Sequence, residues 1–143
     1  MQTKKDAGKL FLLKGRELQS EMEQLKIAKR EALQLACGVS VNYAGVKVQT
    51  SSDNSTESRF AAYSEYSRLL DEKVEELVVY RTKMLEMINK VDNSTYRTLL
   101  IARYVNCKTW EKIADEMKYD VRHIHRLHGA ALLKFKNVIE CHY

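Results

Sequence analysis

Proline is absent from the chain and glycine occurs only five times. Pro breaks helices by lacking an N–H and Gly weakens them through backbone freedom, so long uninterrupted helices are permitted almost everywhere. The apolar run Leu10 to Leu13 is short and is followed at once by charge, which fits neither a secretory signal nor a membrane span. The three cysteines, Cys37, Cys107 and Cys141, show no paired close spacing. An odd, scattered set argues against a disulfide framework and for reduced thiols in a cytoplasm. There is no glycine-rich phosphate loop and no Ser or Cys nucleophile in an informative motif, so neither an enzyme nor a cofactor is expected.

What is present is apolar content of 45% and charged content of 30% over 143 residues, the balance of a folded chain with extensive solvated helix faces. The fold class expected is all-α. Lys and Arg exceed Asp and Glu by three over residues 1–53 and by four over residues 94–143, whereas residues 54–93 carry a net charge of −2. A basic C-terminal part is suited to a polyanion such as DNA, with phosphates met by Lys and Arg. The alternative is simply a soluble basic surface.

From about Lys9 to Ala36, Leu18, Met22, Leu25, Ala32 and Ala36 recur at spacings of three, four or seven, with Lys29 interrupting. Gly38 ends this helix, and a mobile linker is expected over about residues 39–56, its first half pinned by Val41, Tyr43, Val46 and Val48. A second long helix is expected to start near Ser55 or Thr56, where a hydroxyl can cap it. Its seam is Tyr63, Leu70, Val74, Leu77, Met84, Ile88 and Val91, interrupted at Ser67 and Arg81. The two stripes pack on each other as an antiparallel hairpin, or on second copies as a homo-oligomer. Residues 1–93 are thus read as a helical hairpin or coiled-coil region, and residues 94–143 as a separate domain.

Asp92, Asn93 and Ser94 are good caps for a new helix carrying Tyr96, Leu99, Leu100 and Tyr104. Thr109 caps the next, TWEKIADEM, with Ile113, Ala114 and Met117 on its buried side and Glu111 in its first turn. Lys118 and Tyr119 form a tight connection, and Asp120 caps the helix from Val121. On a 100° projection about Ile124, the residues Val121, Leu127, Ala131, Phe135, Val138 and Ile139 fall within about 60° of the core direction. Arg122, His125, Arg126 and Lys136 then lie roughly 100–200° away, facing solvent.

Two short helices around a tight turn, the second of them basic, form the pattern of a DNA-binding helix-turn-helix. Arg122, His125 and Arg126 stand where the second helix meets base edges, and Arg can donate two bonds to guanine O6 and N7. Thr109, Trp110, Lys112, His123 and Lys136 are the expected backbone contacts. The competing readings are a plain solvated face for the arginines, a core role for Trp110, and a partly buried polar role for His128 at the edge of the stripe. His123 points roughly 160° from His125, and no Cys pair completes a tetrahedral set, so no metal site is expected.

The stretch Tyr96 to Phe135, with LLIARYV, TWEKIADEM, YDVRHIHRLH and AALLKF, resembles region four of the sigma-70 family. It is more similar still to phage-encoded relatives of that region, the ArpU-like and RinA-like late transcription regulators. The carrying residues are Arg103-Tyr104, Trp110 to Ala114 and Arg126 to Leu132, with KVQTS at residues 47–51 resembling the linker. The resemblance implies a sequence-specific DNA-binding regulator of phage or prophage transcription in a bacterial host cytoplasm, and it extends to a contact with RNA polymerase. It supports Arg122, His125 and Arg126 as major-groove contacts. Val121 occupies a position that is often basic in sigma factors, and exposed Leu133 is suited to a protein contact. No segment resembles the promoter-melting region of a full sigma factor. The alternatives are a DNA-packaging adaptor similar to a small terminase subunit, and a helical protein-binding module.

Overall fold

The computed structural model describes residues 7–38 and 53–142, and the side chains of residues 53–55 lie outside that description. Every secondary-structure element among the described residues is a helix, with no strand. Helix α1 runs Ala7–Ala36, α2 Asp53–Asn89 and α3 Ser94–Leu100; a π-helical turn, Ile101–Val105, follows, and then α4 Trp110–Met117 and α5 Val121–His142. No described helix is long and apolar enough to cross a membrane.

One expected boundary shifts. Helix α2 begins at Asp53 rather than at Ser55 or Thr56, so residues 53–56 belong to the helix and not to the linker. A run of Asp, Asn, Ser and Thr suits a first helical turn as well as a cap, and the exact terminal residue is weakly determined by sequence. The reading of Val41, Tyr43, Val46 and Val48 as pinning residues lies outside the described residues. Helix α1 stops at Ala36 and Gly38 takes φ +71°, the left-handed conformation that glycine adopts at a helix end.

The chain divides into two compact units, one comprising residues 1–19 and 77–143, the other residues 20–76. In the first, Leu12, Met84, Ile88, Leu100 and Phe135 are fully excluded from water and pack in one cluster. A second cluster joins Leu99, Ala102, Ile113, Ala114 and Ile124. Adjacent Leu99 and Leu100 therefore feed different clusters, which fixes how α3 is rotated. Full burial of each such side chain stabilises the fold by roughly 1.5–3 kcal/mol.

Gly15 lies against Met84, where an added Cβ would fall onto the Met84 sulfur and within 2.8 Å of Cε; only glycine permits so close an approach. Gln19 and Arg81 meet further along, Arg81 Nη2 donating to Gln19 Oε1 at 2.6 Å and to the Val105 carbonyl at 2.7 Å. The interruption of the α2 seam at Arg81 thus serves the end of the π-helical turn. Tyr80 adds a bond from its hydroxyl to the Phe11 carbonyl at 2.7 Å.

Among the described residues of the second unit the buried apolar ones are Met22, Ala32, Ala36 and Leu70, none of them fully excluded from water. Lys73 bonds Glu21 at 2.7 Å and Glu76 at 3.1 Å, and these carboxylates, Glu21 first, raise its pKa. Lys29, the other seam interruption, sets its ammonium over the Tyr63 ring at 5.7 Å, and Ser67 Oγ donates to the Tyr63 carbonyl at 3.0 Å. Both polar residues in the seams are accommodated at its edge. Val74, expected in the α2 seam, is 37% exposed.

Candidate nucleic-acid interface

Asn93 caps α3, its side-chain oxygen accepting from the Thr95 and Tyr96 N–H groups at 2.9 and 3.1 Å. The helix then widens into the π-helical turn and closes at Asn106, whose N–H donates to the Ile101 carbonyl at 2.9 Å. Widened turns of this kind insert a residue into the ladder and redirect the side chains beyond it. Cys107 follows with φ 54°, and the Lys108 N–H returns to the Ala102 carbonyl at 3.0 Å. This reversal brings Arg103 beneath the start of α4.

Helix α4 is capped by Thr109, whose side chain accepts from the Lys112 N–H at 3.3 Å. The N–H groups of Trp110 and Glu111 have no intrahelical acceptor. The helix ends on Lys118 in the left-handed conformation, with the Tyr119 N–H bonded to the Ala114 carbonyl at 3.0 Å. Asp120 then caps α5, its carboxylate accepting from the His123 N–H at 2.7 Å. Three residues thus separate the two helices, and Ile113, Ala114 and Ile124 lock their inner faces together.

Arg122, His125 and Arg126 all lie exposed within one and a half turns of α5. Neither arginine takes part in an ion pair among the described residues. By contrast Lys108 is held by Glu116 at 2.7 Å, and that bond keeps the Glu116 carboxyl below its ordinary pKa. Lys112 is exposed at the start of α4. His123 is half-buried with its ring 4.7 Å from that of Tyr119. Lys136 is half-buried and paired with Glu140 at 3.5 Å, about 15 Å along the axis from Arg126. The structure therefore groups Arg122, His125 and Arg126, joins Trp110 to them through His125, and leaves Lys136 apart and engaged.

Trp110 is the hub. The Arg103 guanidinium lies 4.1 Å from its ring centroid, and the His125 and His128 rings each lie 4.7 Å away. A guanidinium over an indole is an attractive cation–π pair, and the contact also fixes the plane of the ring. Trp110 is half-buried against the second core cluster, so its core role and its place beside the basic surface coexist. His128 sits where its projection near the apolar stripe predicts. Its Nε2 and the Tyr104 hydroxyl are 2.8 Å apart. Burial, with Lys9, Arg103 and His125 nearby, pushes its pKa down to about 4, so its ring is neutral near pH 7. Burial likewise raises the Tyr104 pKa.

Arg103 and Tyr104 were legible as members of a familiar dipeptide but not as supports of the surface. Their role depends on the π-helical turn, which a 3.6-residue periodicity does not disclose. Arg16 was also missed; its Nη1 donates to the Arg103 carbonyl at 3.3 Å, and its charge adds to burial in lowering the Arg103 pKa. Among the described residues no group of three or more His, Cys, Asp or Glu is placed to hold a metal ion, and all three cysteines are free thiols. Comparison with family models, with curated proteins and with solved structures gives no match.

Proposed function

We propose that residues 94–143 form a helix-turn-helix DNA-binding domain and that the chain is a sequence-specific transcriptional regulator of phage or prophage genes. The observation that carries this reading is the exposed set Arg122, His125 and Arg126, with arginines that have no carboxylate partner among the described residues, on a helix clamped by a buried face and preceded by a three-residue turn. Arg122 and Arg126 donate to guanine edges in the major groove, while His125, held against Trp110, meets the neighbouring base. Thr109, Trp110 and Lys112 present the start of α4 to a phosphate, and His123 and Lys136 extend the backbone contacts. Lys136 must exchange Glu140 for phosphate to do so. In this reading α1 and α2 are the arms of a helical hairpin, and the regulator acts in the bacterial cytoplasm alongside RNA polymerase.

Selection of bound sequences from a random duplex pool tests the proposal. A defined consensus is expected, and Arg122→Ala with Arg126→Ala abolishes preference for it while the far-ultraviolet dichroism stays helical. Each lost bidentate contact costs about 1–3 kcal/mol of discrimination. Unchanged affinity of the double variant for the selected site, or equal affinity for every duplex at moderate salt, refutes the reading. The second of these results is the one a packaging or architectural protein would give.

A further inference from the structure

Two helices cannot enclose a core by themselves; a helical domain closes only when each apolar stripe meets a further layer. The described residues of the unit 20–76 are a helix pair of this kind. Among them the buried apolar set is small, while Leu35 is 60% exposed and Tyr66 37% exposed. These two side chains border a groove floored by Ala28, Ala32 and Ala62. Alanines on both facing helices let another helix approach closely, because helix separation is set by the side chains at the contact.

The charges select the occupant. The groove carries one acid, Glu31, and one base, Arg59, and neither takes part in an ion pair among the described residues. The groove on the other flank of the same pair, beside Leu33 and Tyr63, is lined by Lys26, Lys29 and Arg30 with no acid. A two-fold copy seated there would set cations against cations. On the alanine flank a copy whose α1 lies along the neighbouring α2 would set Glu31 against Arg59, since in an isologous contact a pair i–j across the axis recurs as j–i.

We infer that the Ala28–Ala32–Ala62 groove is the dimerisation surface of this chain, taking a second copy to close a four-helix bundle. The α1 segment of each copy lies along the α2 segment of the other, Leu35 and Tyr66 leave water, and Glu31 pairs with Arg59 of the partner subunit. The segment of α1 in this unit, residues 20–36, is about 25 Å long, enough for several turns of contact. The inference stands independently of the DNA-binding reading.

Sedimentation equilibrium of the full chain over a range of concentrations provides the test. A mass of twice 16.6 kDa is expected. Because each change counts twice across the axis, Leu35→Glu raises the dimer Kd about a hundredfold or more. That side chain is exposed in the single chain, so the variant keeps its helical dichroism. Glu31→Arg and Arg59→Glu each weaken the dimer at least severalfold, and the two together restore it. A monomer at every concentration overturns the inference, whatever else covers the groove. So does a multimer indifferent to Leu35→Glu, and so does a charge-reversed double variant that stays as weak as the single ones.

Discussion

The two compact units differ most in what they hide from water. The unit of residues 1–19 and 77–143 excludes Leu12, Met84, Ile88, Leu99, Leu100, Ile113, Ile124 and Phe135 completely, whereas among the described residues of 20–76 no apolar side chain falls below 7% exposure. Both are built from the same two long helices. The difference is that α3, α4 and α5 supply the first unit with additional layers, while the described residues of the second form a helix pair. Periodicity makes a helix amphipathic in either setting; the number of elements facing it decides whether the stripe becomes a core.

The contrast is tested most severely by truncation at the two cores. Phe135→Ala is expected to cost about 3–5 kcal/mol and Leu70→Ala clearly less, since a site already touched by water loses less transfer energy and leaves a smaller cavity. Denaturant titration of the two variants checks this, and equal losses would break the comparison. A smaller effect is expected from the glycines. Gly15→Ala drives its Cβ into a methionine with no solvent to retreat into, an overpacking cost of about 1–3 kcal/mol. Gly38→Ala meets no atom within 4 Å but must hold φ near +71°, a penalty of about 1 kcal/mol. Thermal melts of the pair separate steric from conformational strain.

A further effect concerns pH. The His128 pKa in the fold is about 4, below its ordinary 6.5, so the unfolded chain takes up a proton first as pH falls. The stabilisation is complete above about pH 6.5 and is lost progressively as pH falls toward 4. Melting temperatures of the parent chain should therefore fall more steeply over this window than those of His128→Gln, which has no imidazole to protonate. Parallel slopes would show that burial does not hold the ring neutral.

Much of this was legible from the residues. The α5 stripe, the Asn93, Thr109 and Asp120 caps, and the place of His128 at the edge of the core follow from helical geometry and capping chemistry, which are local. The exposed position of Arg122, His125 and Arg126 follows from the same projection. The π-helical turn was not legible because a 3.6-residue periodicity does not disclose it, and the Arg103–Trp110 contact and the use of Arg81 by the Val105 carbonyl were not, because each depends on groups brought together from different elements. Lys136 illustrates the limit from the other side. Its outward direction was approximately right, yet Glu140 one turn away engages it, and a projection of apolar residues says nothing about which cations are already paired.

Trp110 is the only tryptophan in the chain, and it touches a guanidinium and two imidazoles at the edge of the basic surface. The molecule therefore carries a single built-in optical probe at that place, with no second indole to dilute it. Its emission responds to whatever changes the charge or water content around those rings, so occupancy of this surface can be followed by light in the unlabelled protein.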